Sequence, residues 1–124
     1  MKVKVDTKEI FYVARLEDRL FSVNLAEELT NIVTKRLGEP AKNVIVDFGK
    51  IAIAEKQALI DLATLHQLAY KNEISFVLCN IQSDVIKTFE ELHLYDALNI
   101  TPTESEAWDI VQMEEIEREL LRED

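Results

Sequence analysis

The stretch NVIVDFGKIAIAEKQALIDL, residues 43–62, decides the fold. Val44, Ile45 and Val46 form an unbroken run of β-branched residues, the pattern of a strand covered on both faces. Gly49 marks the turn after it, and Ile51-Ala52-Ile53 reads as a short extended segment. From Lys56 the apolar period lengthens. Leu59, Leu62, Ala63, His66 and Ala69 fall on one face, with Leu65 beside it, and predict a helix to about Lys71. Asn72 is the expected close of that helix, because Asn tolerates the left-handed conformation. A buried strand followed by an amphipathic helix is the unit of a mostly parallel sheet layered with helices.

The same alternation extends in both directions. Upstream, Lys2–Asp6 and Glu9–Leu16 alternate and carry Val, Phe and Tyr, which predicts two strands, either an opening hairpin or a short edge strand followed by a longer one. Asn24 then reads as a helix cap with Glu27 as its capping-box partner, and Leu25, Leu29, Ile32, Val33 and Leu37 form the stripe of a first helix. Gly38 sits where a helix favours a left-handed residue, and Pro40 prevents continuation. Downstream, Ile74–Cys79 is another buried strand. Ser83 reads as the cap of a helix with Val85, Ile86, Phe89 and Leu92 on its apolar face. Asn99-Ile100 reads as a brief last strand. Thr101-Pro102-Thr103-Glu104 reads as a helix start, with a Thr cap, Pro at the first position and Glu at the third. The expected architecture is α/β: a four- to five-stranded mixed, mostly parallel sheet with about four helices. Residues 1–124 are expected to form a single domain, with residues 102–122 as an extended acidic C-terminal helix.

Composition narrows the function. The chain has 124 residues and a formal net charge of -10, which opposes binding to phosphate backbones or anionic lipid. No nucleic-acid partner and no direct membrane insertion are expected, since no apolar run approaches the roughly 20 residues of a span. From Thr103 onward there are nine acidic and two basic residues. That segment reads as a solvated helical face, or as an acidic arm for a basic partner. Cys79 is the single cysteine, so no internal disulfide forms and a reducing cytoplasm is the expected compartment.

The residues of catalysis are missing from the pattern. Two glycines cannot build a phosphate loop, and one Cys with two His in no ligand spacing predicts no metal site. Cys79 lies in an apolar strand and reads as a packed thiol. His66 lies on the apolar face of its helix, and His93 at a helix end. Glu90-Glu91 and Glu114-Glu115 are adjacent and diverge by about 100° on a helix, so neither pair forms an acid/base couple. Trp108 reads as an anchor of the last helix. No catalytic residue and no cofactor are expected.

From about Phe11 to Val111 the sequence resembles the STAS domain family, which includes bacterial anti-sigma factor antagonists and domains of sulfate transporters. The resemblance rests on Val44–Phe48 with Glu55–Leu62, on Phe76–Ile81 with Ser83, Val85, Ile86, Phe89 and Leu94, and on Ile100–Ala107. The family carries an Asp-Ser-Ser-Gly type segment at the start of its second helix. Here that segment reads Glu55-Lys56-Gln57-Ala58. Lys56 stands where the family places its phosphorylated Ser, so the resemblance implies no phosphorylation at the family site. A permanent cation replaces a conditional anion there.

What the resemblance implies is a non-catalytic protein-protein interaction module. Its partner surface would comprise Ala54, Glu55, Lys56, Gln57, Ala58 and Leu59, with Ser22 and Asn24 at the entry to the first helix. The implied partner is an anti-sigma factor kinase or a larger signalling complex. Two alternatives stay open: a structural protein that forms a homodimer through its C-terminal helix, and a STAS-like accessory subunit of a transporter. Ile110, Met113, Ile116 or Glu117, and Leu120, with Leu121 beside them, supply the second stripe on which self-association would rest.

Overall fold

A computed structural model describes residues 2–122. The elements run β1 (Val3–Thr7), β2 (Phe11–Leu16), β3 (Leu20–Phe21), α1 (Val23–Lys35), β4 (Asn43–Asp47), β5 (Ile53–Ala54), α2 (Lys56–Lys71), β6 (Phe76–Cys79), α3 (Ser83–Glu91), β7 (Asn99–Thr101) and α4 (Glu104–Arg122). Five strands form one sheet in the order β1-β2-β4-β6-β7. β1 pairs antiparallel with β2, and every other pairing is parallel. This is the mixed, mostly parallel sheet with four helices that the sequence predicts.

Alternation along the strands sorts the side chains into two layers. Tyr12, Ala14, Leu16, Val44, Val46, Phe76 and Leu78 join Leu25, Leu29, Leu59, Leu62, Val85 and Phe89 in the larger core, under α1, α2 and α3. Phe11, Val13, Ile45, Val77 and Cys79 face the other way, where Ala107 and Val111 of α4 cover them. Trp108 joins this smaller layer, its ring edge-on to Phe11 with centroids 5.0 Å apart. One helix therefore closes a face on its own.

The helix ends depart from the sequence reading in five places. Ser22, not Asn24, caps α1: its Oγ accepts from the Leu25 nitrogen at 3.1 Å, while Asn24 lies exposed in the first turn. Gln82, in extended conformation, precedes α3, and Ser83 is its first helical residue. Thr103, not Thr101, begins α4, its Oγ1 accepting from the Glu106 nitrogen at 3.2 Å. Thr101 is taken up by β7, so Pro102 lies before the cap and the helix starts at Glu104. Gly38 is not left-handed; α1 unwinds earlier, with Arg36 and Leu37 nitrogens bonding Val33 and Thr34 three residues back. Asn72 has φ -100, and the left-handed residue after α2 is Glu73, φ 59.

Glu73 and His93 share one device. The nitrogens of Glu73 and Ile74 bond the Tyr70 and Ala69 carbonyls, and those of His93 and Leu94 bond the Glu90 and Phe89 carbonyls. Each pair is a Schellman motif with a non-glycine residue, at φ 59 or 58, in the position that glycine normally takes. Glu123 and Asp124, two of the nine acids after Thr103, lie outside the described residues.

Candidate functional site

Two short strands bring two helix starts to one corner. β3 and β5 pair in parallel, Leu20 against Ile53 and Phe21 against Ala54. The Arg19 carbonyl accepts from the Ala52 and Ile53 nitrogens, and the Phe21 carbonyl accepts from the Glu55 nitrogen at 3.0 Å. Each strand runs almost directly into a helix, β3 into α1 and β5 into α2. The N-termini of α1 and α2 therefore emerge side by side.

Glu55 ties them together. Its backbone is the extended residue before α2, yet its side chain makes no bond to that helix. Instead Oε1 accepts from the Val23 nitrogen, the first of α1, at 2.8 Å. Between them, Ser22 and Glu55 satisfy two of the free donors that open α1. A carboxylate there is also favoured by the positive ends of both helix dipoles.

The residues singled out by the resemblance divide into presenters and anchors. Glu55, Lys56, Gln57 and Asn24 are exposed, and Ala54 and Ser22 are half-buried. Ala58 and Leu59 are fully buried, so they fix the first turn of α2 in the core and offer no surface. Gln57 Nε2 donates to Asp61 Oδ1 one turn on, at 2.9 Å. The elements that meet at this corner carry four exposed apolar side chains that the sequence reading missed: Leu20 and Ile53, paired across β3 and β5, Val23 at the first position of α1, and Ile60 one turn after Lys56, with Ile53 63% exposed. No periodic signal marks Leu20 or Ile53, because β3 and β5 have two residues each and neither is long enough to alternate.

A second missed cluster lies on the α4 side of the sheet. Arg15 Nη1 donates to Asp47 Oδ2 at 3.1 Å and to Glu104 Oε1 at 2.6 Å. Asp47 Oδ1 accepts from the Gly49 nitrogen at 2.9 Å and from Asn80 Nδ2 at 3.2 Å. The parallel register places Arg15 beside Asp47 and Asp47 beside Cys79. The bond to Glu104 is the main reason that the Arg15 pKa is raised. Arg15 thus ties the ends of β2 and β4 to the start of α4, and Asp47 ties them to the loop after β6.

Cys79 and His66 are buried where they stand. Burial first, and the Asp47 and Glu104 charges second, push the Cys79 thiol up to about 12, which removes the reactive thiolate. His66 Nε2 accepts from the Asn99 nitrogen at 3.3 Å. His93 gives its backbone to the turn after α3, while its side chain is exposed and lines an open cavity with Glu90, Tyr95 and Asp96. Among the described residues no group of three or more His, Cys, Asp or Glu is placed to hold a metal, and no helix is long and apolar enough to cross a membrane. The corner built by Glu55 can recognise a surface.

Comparison with known proteins agrees with this geometry. No curated protein sequence matches the chain. The fold is similar to that of a STAS domain protein from Planctomyces limnophilus, with TM-score 0.73 and 12% identity, covering 89% of this chain and 97% of that one. It is also similar to the anti-sigma factor antagonist SpoIIAA in its unphosphorylated form, with TM-score 0.71, 16% identity and coverage of 89% and 96%. The murine anion transporter Solute Carrier 26 family member A9 matches at TM-score 0.70 and 14% identity, over 86% of this chain but 18% of the transporter. The STAS domain profile matches residues 2–107, all seven strands and the first three helices. On that match the chain belongs to the STAS domain family.

Proposed function

We propose that the chain is a non-catalytic protein-binding module of the cytoplasm, and that it docks its partner on the corner where α1 and α2 begin. The observation that carries this reading is the set of exposed apolar side chains, Leu20, Val23, Ile53 and Ile60, on the elements that meet at this corner, which the Glu55 bond to Val23 rigidifies. Apolar side chains rimmed by a few charges are what a protein partner buries. The partner class is an anti-sigma factor kinase or a larger signalling complex, in line with the fold shared with SpoIIAA.

In the same reading the interaction is not switched by phosphorylation at the family position. Lys56 is exposed and has no hydroxyl to receive a phosphate. Binding is constitutive at this corner, or is controlled on the partner.

The test is affinity purification of the tagged full chain from its native cell, beside Ile53→Asp and Lys56→Glu variants. Both side chains are exposed, so folding is retained, and circular dichroism checks it. Expected is a partner held by the native chain and lost by Ile53→Asp, with weaker retention by Lys56→Glu. An unchanged set of captured proteins in both variants would sink the proposal.

A further inference from the structure

α4 continues past the region that the STAS domain profile matches. The profile ends at residue 107, while the helix continues to Arg122. Beyond Val111 its inward face is held by polar bonds. Tyr70 donates from its hydroxyl to Glu114 Oε1 at 2.8 Å, and Asn43 Nδ2 donates to Glu115 Oε2 at 3.0 Å. Arg118, with its side chain only 12% exposed, donates to Ser75 Oγ at 2.8 Å and to Glu115 Oε2 at 3.2 Å. These contacts fix the rotation of the helix about its own axis.

The fixed rotation turns a stripe outward. Met113, Ile116 and Leu120 follow a three-four spacing, with Leu121 beside them, and are 59%, 56%, 63% and 77% exposed. Such a stripe repeats at the a and d positions of a coiled-coil seam. Its flanks carry Gln112, Glu117 and Glu119, all exposed, and Asp109 takes the next seam position toward the N-terminus. Neither Glu117 nor Glu119 is held in an ion pair among the described residues. The exposed cation of the helix is Arg122, at its end.

We infer that this stripe docks into an apolar groove with basic rims on a partner protein, at a site separate from the α1–α2 corner. Two features favour that occupant over a second copy of the chain. Two copies would set acidic flanks against acidic flanks, and like charges across such a seam oppose pairing. The stripe also covers about two turns, roughly 10 Å of helix. One helix laid on another over that length falls short of the ~800 Å² per partner of a stable interface. A groove encloses the helix from more sides, and lysines or arginines on its rims would meet Glu117 and Glu119. This is recognition of a helix in a groove, with α4 as the helix.

The test uses the full chain labelled for nuclear magnetic resonance and two designed helical-hairpin proteins, each presenting the same leucine-lined groove between its two helices. One carries lysine on both rims of the groove, the other glutamate. Expected with the lysine-rimmed groove are shifts of the resonances of residues 112–121, leaving those of residues 20–23 and 53–60 in place. Expected too is affinity at least about tenfold above that of the glutamate-rimmed groove, weakening as salt is raised. Ile116→Lys should abolish these shifts with an unchanged circular dichroism spectrum. Equal binding of the two grooves, or binding of neither, overturns the inference. So does a dimer of the chain alone in sedimentation that Ile116→Lys disperses, since the second copy would then be the occupant.

Discussion

The Glu55 carboxylate accepts from the Val23 nitrogen across 32 positions of sequence, so the residue that opens α2 also fastens the opening of α1. Removing it frees a donor of α1 and takes away the side-chain bond between the two helix starts, leaving the pairing of β3 with β5. Glu55→Ala is expected to lower unfolding free energy by about 1 kcal/mol, the usual loss for a missing helix cap. Glu55→Gln keeps an acceptor and should lose less than half as much. Urea denaturation of the three proteins decides it, and equal losses in the two variants would show that charge rather than the hydrogen bond matters.

Three non-glycine residues, Glu73, Asn80 and His93, hold a backbone conformation that suits glycine, and two of them close helices. Glu73 and His93 sit at φ 59 and 58 with their nitrogens engaged in the turns after α2 and α3. Each pays a steric penalty that a residue without Cβ avoids. Glu73→Gly and His93→Gly are each expected to stabilise the fold by about 0.5 kcal/mol, after the extra freedom of glycine in the unfolded chain is offset. Thermal melting reads this as a rise of a few degrees in each variant. A fall in both would mean that the side chains contribute contacts outweighing the strain.

Stability should also fall on mild acidification, through His66. Burial lowers its pKa below the ordinary 6.5, against a weaker opposing pull from Glu114. The unfolded chain then takes up a proton near pH 6.5 that the folded chain refuses until lower pH. Where the unfolded state holds more protons, stability rises with pH. The contribution is therefore complete above about 6.5 and is lost as pH falls from there through the folded value. Protonation would also deprive the Asn99 nitrogen of its acceptor. His66→Gln should remove this slope between about pH 7 and 5 in urea midpoints. Parallel curves for the two proteins would rule out His66 as the cause.

Much of this fold is written in apolar spacing. The run at Val44–Val46 reads as a doubly covered strand because two helical layers do cover β4. The spacing from Leu59 to Ala69 returns α2 with its observed ends at Lys56 and Lys71. Helix caps were harder to read. Ser22 and Asn24 carry equally good capping side chains, and what selects Ser22 is the pairing of Phe21 with Ala54, which sets where the strand must stop. Local preference points to Gly38 and Asn72 as left-handed positions, and neither is one. At Glu73 and His93, chain reversal into β6 and β7 overrides it. The Arg15–Asp47–Glu104 cluster joins residues up to 89 positions apart, and no local pattern announces such a contact. At the α1–α2 corner, sequence resemblance located Glu55 and Lys56. It counts Leu59 as partner surface although the helical period turns that residue into the core, and it gives no sign that Ile53 faces solvent, since β5 has only two residues.

The bonds from Tyr70, Asn43 and Ser75 to α4 act as a key in a keyway. An apolar seam lets a helix slide or roll by a fraction of a turn at small cost, because any methyl group can replace another. Three polar partners at fixed places do not: rotating α4 by one residue, about 100°, would misalign Glu114, Glu115 and Arg118 together and leave half-buried charge without partners. The helix has one seating rather than several. Residues after Val111 could therefore be exchanged on the outer side, to suit one partner or another, while the alignment of that side with the domain stays the same.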